Sequence, residues 1–188
     1  MSTQTAKTNT LKTRDLTLVA LFAALIAICA WLTVPMPDVP FTMQTFGVFI
    51  ALLLLGGQRG TLAILLYILL GAVGLPVFSG FRGGIGSLLG TTGGYLIGFL
   101  FSGLIYWVIT ALVKQENTLI RFLALTAALF VCYAFGTVWF MTVYLRSTGP
   151  ISLGLVLMKC VVPYLIPDFA KMLAAVSVSR AVKKHLNE

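Results

Sequence analysis

The sequence predicts an all-α integral membrane protein of six transmembrane helices with both termini cytoplasmic. Three observations carry that expectation: a surplus of apolar residues, long runs without a charge, and basic residues gathered at alternate ends of those runs. Of the 188 residues, 59% are hydrophobic and only 10% are charged, against roughly 25% charged in an ordinary soluble domain. A water-facing surface needs polar cover that this composition does not supply, whereas a lipid-facing one needs none.

Residues 1–15, MSTQTAKTNTLKTRD, form a polar, basic segment expected on the cytoplasmic side. Leu16 to Val34 is 19 residues without a charge, close to the ~20 that cross the hydrocarbon core. The run is too long for a signal-peptide core and has no small-residue cleavage site, so it should remain as the first span. Pro35, Pro37 and Pro40 then forbid helix continuation. Phe41–Gly57 and Thr61–Leu75 are two shorter apolar runs around the turn signal Gly56-Gly57-Gln58-Arg59-Gly60. They read as the second and third spans, or together as a re-entrant hairpin. Pro76–Gly86 is a Gly-rich loop whose one charge is Arg82, and a long helix is expected from about Gly90 to Val113. Lys114 to Asn117 closes it, Phe122–Leu145 is the fifth span, Arg146–Pro150 a turn, and Ile151–Ser179 the last. Residues 16–180 thus make one membrane domain, with 181–188 as a cytoplasmic tail.

The net charge is +8. Lys7, Lys12, Arg14, Arg59, Lys114, Arg121, Arg180, Lys183 and Lys184 fall on one side of this topology, and Arg82 and Arg146 on the other. The positive-inside rule puts the larger group in the cytoplasm, which turns the Pro-rich loop, the Gly-Arg loop and the start of the last span outward. The basic residues flank apolar runs rather than interleave with aromatics. They read as topology signals and contacts to anionic lipid, and no nucleic-acid partner is expected.

Enzymatic chemistry finds little to work with. There is no P-loop, Gly84-Ile85-Gly86 breaks off before a dinucleotide fingerprint, and the only histidine, His185, lies in the tail. Cys29, Cys132 and Cys160 have no metal-binding spacing. No catalytic residue, metal or cofactor is expected.

Polar residues inside the spans are the informative ones. Lys159, Asp168 and Lys171 lie in the last apolar run, where a charge at mid-membrane costs about 2.5–3.5 kcal/mol on insertion scales. Asp168 and Lys171 share a helix face at i, i+3. They either neutralise each other or meet a polar ligand at the outer end of a cavity. Pro163 and Pro167 favour the ligand, because they should disrupt the backbone just before Asp168. Lys159, on the opposite face of a continuous helix, is not placed in a site. Gly86, Gly90, Gly94, Gly98 and Ser102 form a small-residue stripe suited to close helix packing, with Tyr95 beside it. Helix one repeats Ala20-x-x-x-Ala24 and Ala23-x-x-x-Ala27, a pattern for internal packing or for docking another membrane protein.

Four segments together carry a resemblance. Val39-Pro40-Phe41-Thr42-Met43-Gln44, Gly74 to Gly84 (GLPVFSGFRGG), Gly90 to Phe99 (GTTGGYLIGF) and Pro163 to Lys171 (PYLIPDFAK) are similar, in order, to the BioY family. The chain departs from the family pattern at Thr91, where proline is common, and at Pro167, where glycine is. BioY proteins are biotin-binding S-components of energy-coupling factor (ECF) transporters. The resemblance implies a multi-pass protein of a prokaryotic plasma membrane that holds one biotin near the outer surface. It also implies as partners a transmembrane coupling protein and two ABC-type ATPases. On this reading Asp168 accepts ureido N–H groups or orients what does, and Lys171 donates to the ureido oxygen or balances the carboxylate. Arg82 is the other carboxylate partner. Gln44, Ser79 and Tyr95 add donors and acceptors, Trp31, Phe41 and Tyr164 cover the rings, and Ala20, Ala23, Ala24 and Ala27 form the docking face for the coupling protein. Without the resemblance, the residues also allow an S-component for another vitamin, or a membrane scaffold or assembly subunit whose buried charges only stabilise packing.

Overall fold

The computed structural model describes residues 12–36, 38–113 and 117–186. Most of the basic N-terminal segment, with Lys7, and also Pro37, Lys114 and residues 187–188, lie outside the described residues. Among the described residues, five helices are long and apolar enough to cross a membrane: Thr13–Trp31, Gln44–Ala72, Gly93–Val113, Thr118–Ser147 and the combined stretch Leu153–His185.

Helix α1 (Thr13–Trp31) ends just before the prolines. The loop they create is held as a small hairpin, because β1 (Thr33–Val34) pairs antiparallel with β2 (Phe41–Thr42). This two-residue ladder is absent from the all-helical expectation.

Helix α2 (Gln44–Ala72) is not straight. Gly56 has φ +81° and ψ 174°, a conformation open to glycine alone among ordinary residues. The chain reverses there. Gln44 Nε2 donates to Tyr67 Oη at 3.0 Å, whereas 23 residues of straight helix would separate them by about 34 Å. Gly60 sits on the returning arm so close to Leu52 that a Cβ would lie 2.9 Å from its Cα. The turn signal read from the sequence is therefore a real reversal, with arms 44–55 and 57–72.

After a 3-10 turn (Ser79–Phe81) come the short α3 (Ile85–Leu89), then α4 (Gly93–Val113) and α5 (Thr118–Ser147). Gly94, Gly98 and Ser102 pack these two long helices together, whereas Gly86 and Gly90, expected in the same stripe, fall in and at the end of α3. Gly98 receives the Cys132 side chain, and a Cβ added at this glycine would fall 3.0 Å from the cysteine sulfur. Ser102 Oγ donates across the interface to the Ala128 carbonyl at 2.7 Å. Gly94 lies under the Trp139 ring and Gly136 under the Tyr95 ring, so neither tolerates a side chain.

The last span is broken into α6 (Leu153–Cys160) and α7 (Val162–Leu186). This corrects the expected location of the disruption. The break falls at Val161, at φ −124° and ψ −58°, and α7 runs on through Pro167 and Asp168. Pro163 sits in the first turn of α7, where its missing N–H costs nothing. Ile26, Ala30, Ala51, Leu52, Ile64, Leu125, Ala128, Met172 and Ala175, drawn from α1, α2, α5 and α7, are fully buried at the centre. At one end of the molecule Asp15 of α1 pairs with Arg59 near the α2 reversal at 3.2 Å. The Pro-rich hairpin, the Gly-rich loop and α6 gather at the other.

Candidate functional site

A cavity, part of it open to solvent, lies at that second end, where the Pro-rich hairpin and the Gly-rich loop meet α2, α4, α5 and α7. Its inner wall is built on α7. Asp168 and Lys171, one turn apart, are 3% and 7% exposed and pair at 2.8 Å. The pair is knitted into three other elements. Thr45 Oγ1, in the first turn of α2, donates to Asp168 Oδ1 at 2.9 Å. Tyr133 Oη, from α5, donates to Asp168 Oδ2 at 2.6 Å. Lys171 Nζ donates to the Thr42 carbonyl of β2 at 2.6 Å and to Thr45 Oγ1 at 3.2 Å, and lies 4.1 Å from the centre of the Phe41 ring.

Every ammonium hydrogen is therefore satisfied, and the carboxylate keeps about one of its four lone-pair positions. A buried pair survives only under such saturation, because the desolvation of each charge has to be offset by hydrogen bonds as well as by the partner.

Between this wall and the mouth the lining is mixed. Phe78, Leu96, Phe99 and Leu129 supply apolar surface, and Gln44, Thr92, Tyr95, Cys132, Cys160 and Tyr164 supply polar tips. Tyr95 is nine-tenths buried, and its hydroxyl has no partner in hydrogen-bonding geometry. A buried hydroxyl left unpaired is unfavourable, and this one lines the cavity. Tyr164 Oη donates to the Val39 carbonyl, tying the Pro-rich hairpin to α7.

Ser79, Arg82 and Ser87 form the mouth. They also line, with Pro35, Met36, Asp38, Gly90 and Thr91, a second hollow outside the first. Arg82 is exposed and spends one donor, Nε, on the Ser79 carbonyl at 3.1 Å. Asp38 of the hairpin pairs with Lys159 of α6 at 3.3 Å. The broken span thus gives Lys159 a partner that a continuous helix does not suggest. Among the described residues, no three His, Cys, Asp or Glu side chains come together as a metal site.

Nearly the whole sequence fits one family: residues 2–188 match the model of the BioY family. The chain belongs to the BioY family. It is 39% identical over 173 residues to "Biotin transporter BioY" of Thermotoga maritima, covering 91% of this chain and 96% of that one. It is 36% identical to "Probable biotin transporter BioY" of Pyrococcus horikoshii over 92% of this chain and 98% of that one. Among solved structures it resembles the crystal structure of the S-component for biotin from an ECF-type ABC transporter. The TM-score is 0.81 at 28% identity, with 95% of each chain covered.

In this BioY chain the structure brings Asp168, Lys171, Arg82, Gln44, Tyr95, Ser79 and Tyr164 to one cavity. Phe41 stands one layer back, stacked on Tyr164 with centroids 6.3 Å apart. Trp31, expected over the ligand rings, is not on the cavity wall. Its indole donates to the Pro76 carbonyl at 2.8 Å and stacks on Phe81 at 5.2 Å. The four alanines of α1 divide. Ala20 and Ala24 are exposed, whereas Ala23 and Ala27, at 1% and 4% exposure, are buried in the chain's own core. The latter two are spent on internal packing and present nothing to a partner.

The sequence pattern does not single out Thr45 or Tyr133, which the structure places on Asp168. Each is one polar tip in an apolar run, and both reach Asp168 only through long-range folding. The signal that would have found Thr45 is its place directly after Gln44, at the head of a helix leaving the Pro-rich segment.

Proposed function

We propose that this chain is the biotin-binding specificity subunit of an ECF-type uptake transporter. The carrying observation is the polarity gradient of one cavity: a charge-paired, hydrogen-bonded inner wall, apolar sides, and a guanidinium at the mouth. Biotin has the matching sequence of groups, with a ureido ring at one end, an apolar thioether ring, and an alkyl chain ending in a carboxylate. In this reading one ureido N–H meets the position left free on Asp168 Oδ2 beside Tyr133, with Gln44 and Tyr95 completing the ring's hydrogen bonds. The carboxylate reaches Arg82 and Ser79, where a planar fork suits it. Lys171 then acts mainly by holding the Asp168 carboxylate in place, since a hydrogen bond to ligand would cost it one it already makes.

The same reading completes the topology. The arms of α2, 12 and 16 residues long by the Gly56 break, serve as two short crossings. That makes six crossings in all, with both termini cytoplasmic alongside the Asp15–Arg59 pair and the cavity outward. Membership of the family and the match to an ECF S-component support a prokaryotic plasma membrane. They also support as partners a coupling protein with two ABC-type ATPases, docked at Ala20 and Ala24. Biotin is cargo here, and no resident cofactor is proposed.

The buried ion pair's saturation also favours a second reading, in which Asp168 and Lys171 only hold helices together in a scaffold. Equilibrium binding of labelled biotin to the detergent-purified chain separates the two. Saturable binding competed by free biotin and weakened at least tenfold in Asp168→Asn is expected. A folded wild type that takes up no biotin would overturn the proposal.

A further inference from the structure

Among the described residues, Phe81 is the one non-glycine with a positive φ, 56°, and it follows Gly80 at 69°. A side chain with a Cβ is disfavoured there by the following carbonyl. Burial does not account for it, because Phe81 is 65% exposed. What the conformation does achieve is a stack: the Phe81 ring lies on Trp31, with centroids 5.2 Å apart and planes 28° from parallel. Trp31 is itself fixed at the end of α1 by its indole hydrogen bond to Pro76.

The next residue is Arg82. Its carbonyl accepts from the Phe78 N–H at 2.9 Å, and its Nε closes back on Ser79. The Phe78 ring at the start of the turn is anchored in the core, edge-on to Tyr67 at 5.6 Å. Phe78 is held from inside and Phe81 from outside, and the guanidinium of the residue that follows projects into the mouth. Backbone strain of this kind persists only where neighbours over-determine it. A fork that must meet a carboxylate on both prongs gains most from having its direction set beforehand.

We infer that Trp31 and Phe81 are positioning residues for Arg82: an aromatic clasp outside the cavity that sets the guanidinium's direction and so the preference for a carboxylate over a neutral end group. This inference rests on Arg82 as the carboxylate partner.

The test compares the affinity of the full-length chain for biotin with that for biotin methyl ester. Wild type, Arg82→Ala, Trp31→Ala, Phe81→Gly and Trp31→Phe are each checked for folding by thermal unfolding. Arg82→Ala should remove the preference for the acid. Trp31→Ala and Phe81→Gly should reduce it roughly tenfold, about 1.4 kcal/mol, by weakening biotin while leaving the ester unchanged. Trp31→Phe keeps a ring to stack and should retain most of the preference. If Trp31→Ala and Phe81→Gly keep the full preference, or weaken acid and ester alike, the clasp is structural and the inference fails. If Arg82→Ala itself keeps the preference, the carboxylate reading of Arg82 is what fails, and the clasp falls with it.

Discussion

At the inner end of the cavity, Asp168, Lys171, Thr45 and Tyr133 come from three helices and leave one lone-pair position unpaired. At its mouth, Arg82 sits on a Gly-rich turn with a single side-chain hydrogen bond, to its own neighbour. The first arrangement resists change because every group is held by another, and removing one strands a buried charge. The second tolerates change because water can take over whatever a variant gives up. On the proposed reading, the inner end couples binding to folding, whereas the mouth adjusts affinity and the preference for a carboxylate.

Lys171→Met is expected to have the largest effect. It leaves Asp168 buried without its counter-ion, at a cost of about 3–5 kcal/mol, and should lower the unfolding temperature and abolish biotin binding together. Adding Asp168→Asn removes the stranded charge. The double variant should recover much of the stability and none of the binding. Thermal unfolding and biotin titration of both proteins test this, and recovery of binding in the double variant would detach the pair from recognition.

Gly136→Val should come next. A Cβ at this position enters the space of the Tyr95 ring, and overpacking of this kind costs about 1–3 kcal/mol. Because Tyr95 lines the cavity, the variant should lose affinity beyond what unfolding explains. Gly56→Val makes the control: it strains a positive-φ hinge remote from the cavity lining and should lower stability while the folded fraction binds biotin normally. Equal affinity losses in both would mean that Gly136 acts on the fold alone.

How far the sequence revealed these two ends differs in an instructive way. The mouth is local: Ser79 and Arg82 stand three residues apart in one loop, and composition alone singles out the lone charge among glycines. Half of the inner end was also local, since Asp168 and Lys171 announce themselves as charges in an apolar span. Thr45 and Tyr133 did not, because they join Asp168 across 123 and 35 residues, and apolar runs carry no period that says which face looks inward. The same blindness merged the two faces of α1. Ala20-Ala24 and Ala23-Ala27 have identical spacing, and only packing against α2 shows that one pair is outside and the other inside. The helix boundaries were the easier part. Prolines and glycines punctuate them by backbone sterics, which need no tertiary knowledge, and Gly56 reverses the chain within the predicted turn. Pro163 and Pro167 mark the limit of that reasoning: one fits a first turn and the other is absorbed within α7, so the break moved to Val161.

Tyr133→Phe sharpens the contrast on the inner side. It deletes one hydrogen bond to a carboxylate, worth about 1.5–3 kcal/mol, without stranding a charge, since Lys171 and Thr45 remain. Binding should weaken by roughly tenfold or more with a smaller loss of stability. An unchanged affinity would show that Oδ1, held by Thr45 and Lys171, is the oxygen that matters.

The smallest effect is expected at the outer strap. Lys159 and Asp38 are partly exposed, at 42% and 25% of their side chains, and exposed pairs contribute about 0–1 kcal/mol, less as salt rises. Yet this pair joins α6 to the hairpin whose Val39 and Pro40 line the cavity. Lys159→Ala should therefore leave stability nearly unchanged and raise the biotin dissociation rate a few-fold at low salt, with the difference vanishing near 1 M salt. Stopped-flow displacement of bound label across a salt series reads this directly. A salt-independent rate increase would mean that the lysine's stem, rather than its charge, holds the hairpin over the site.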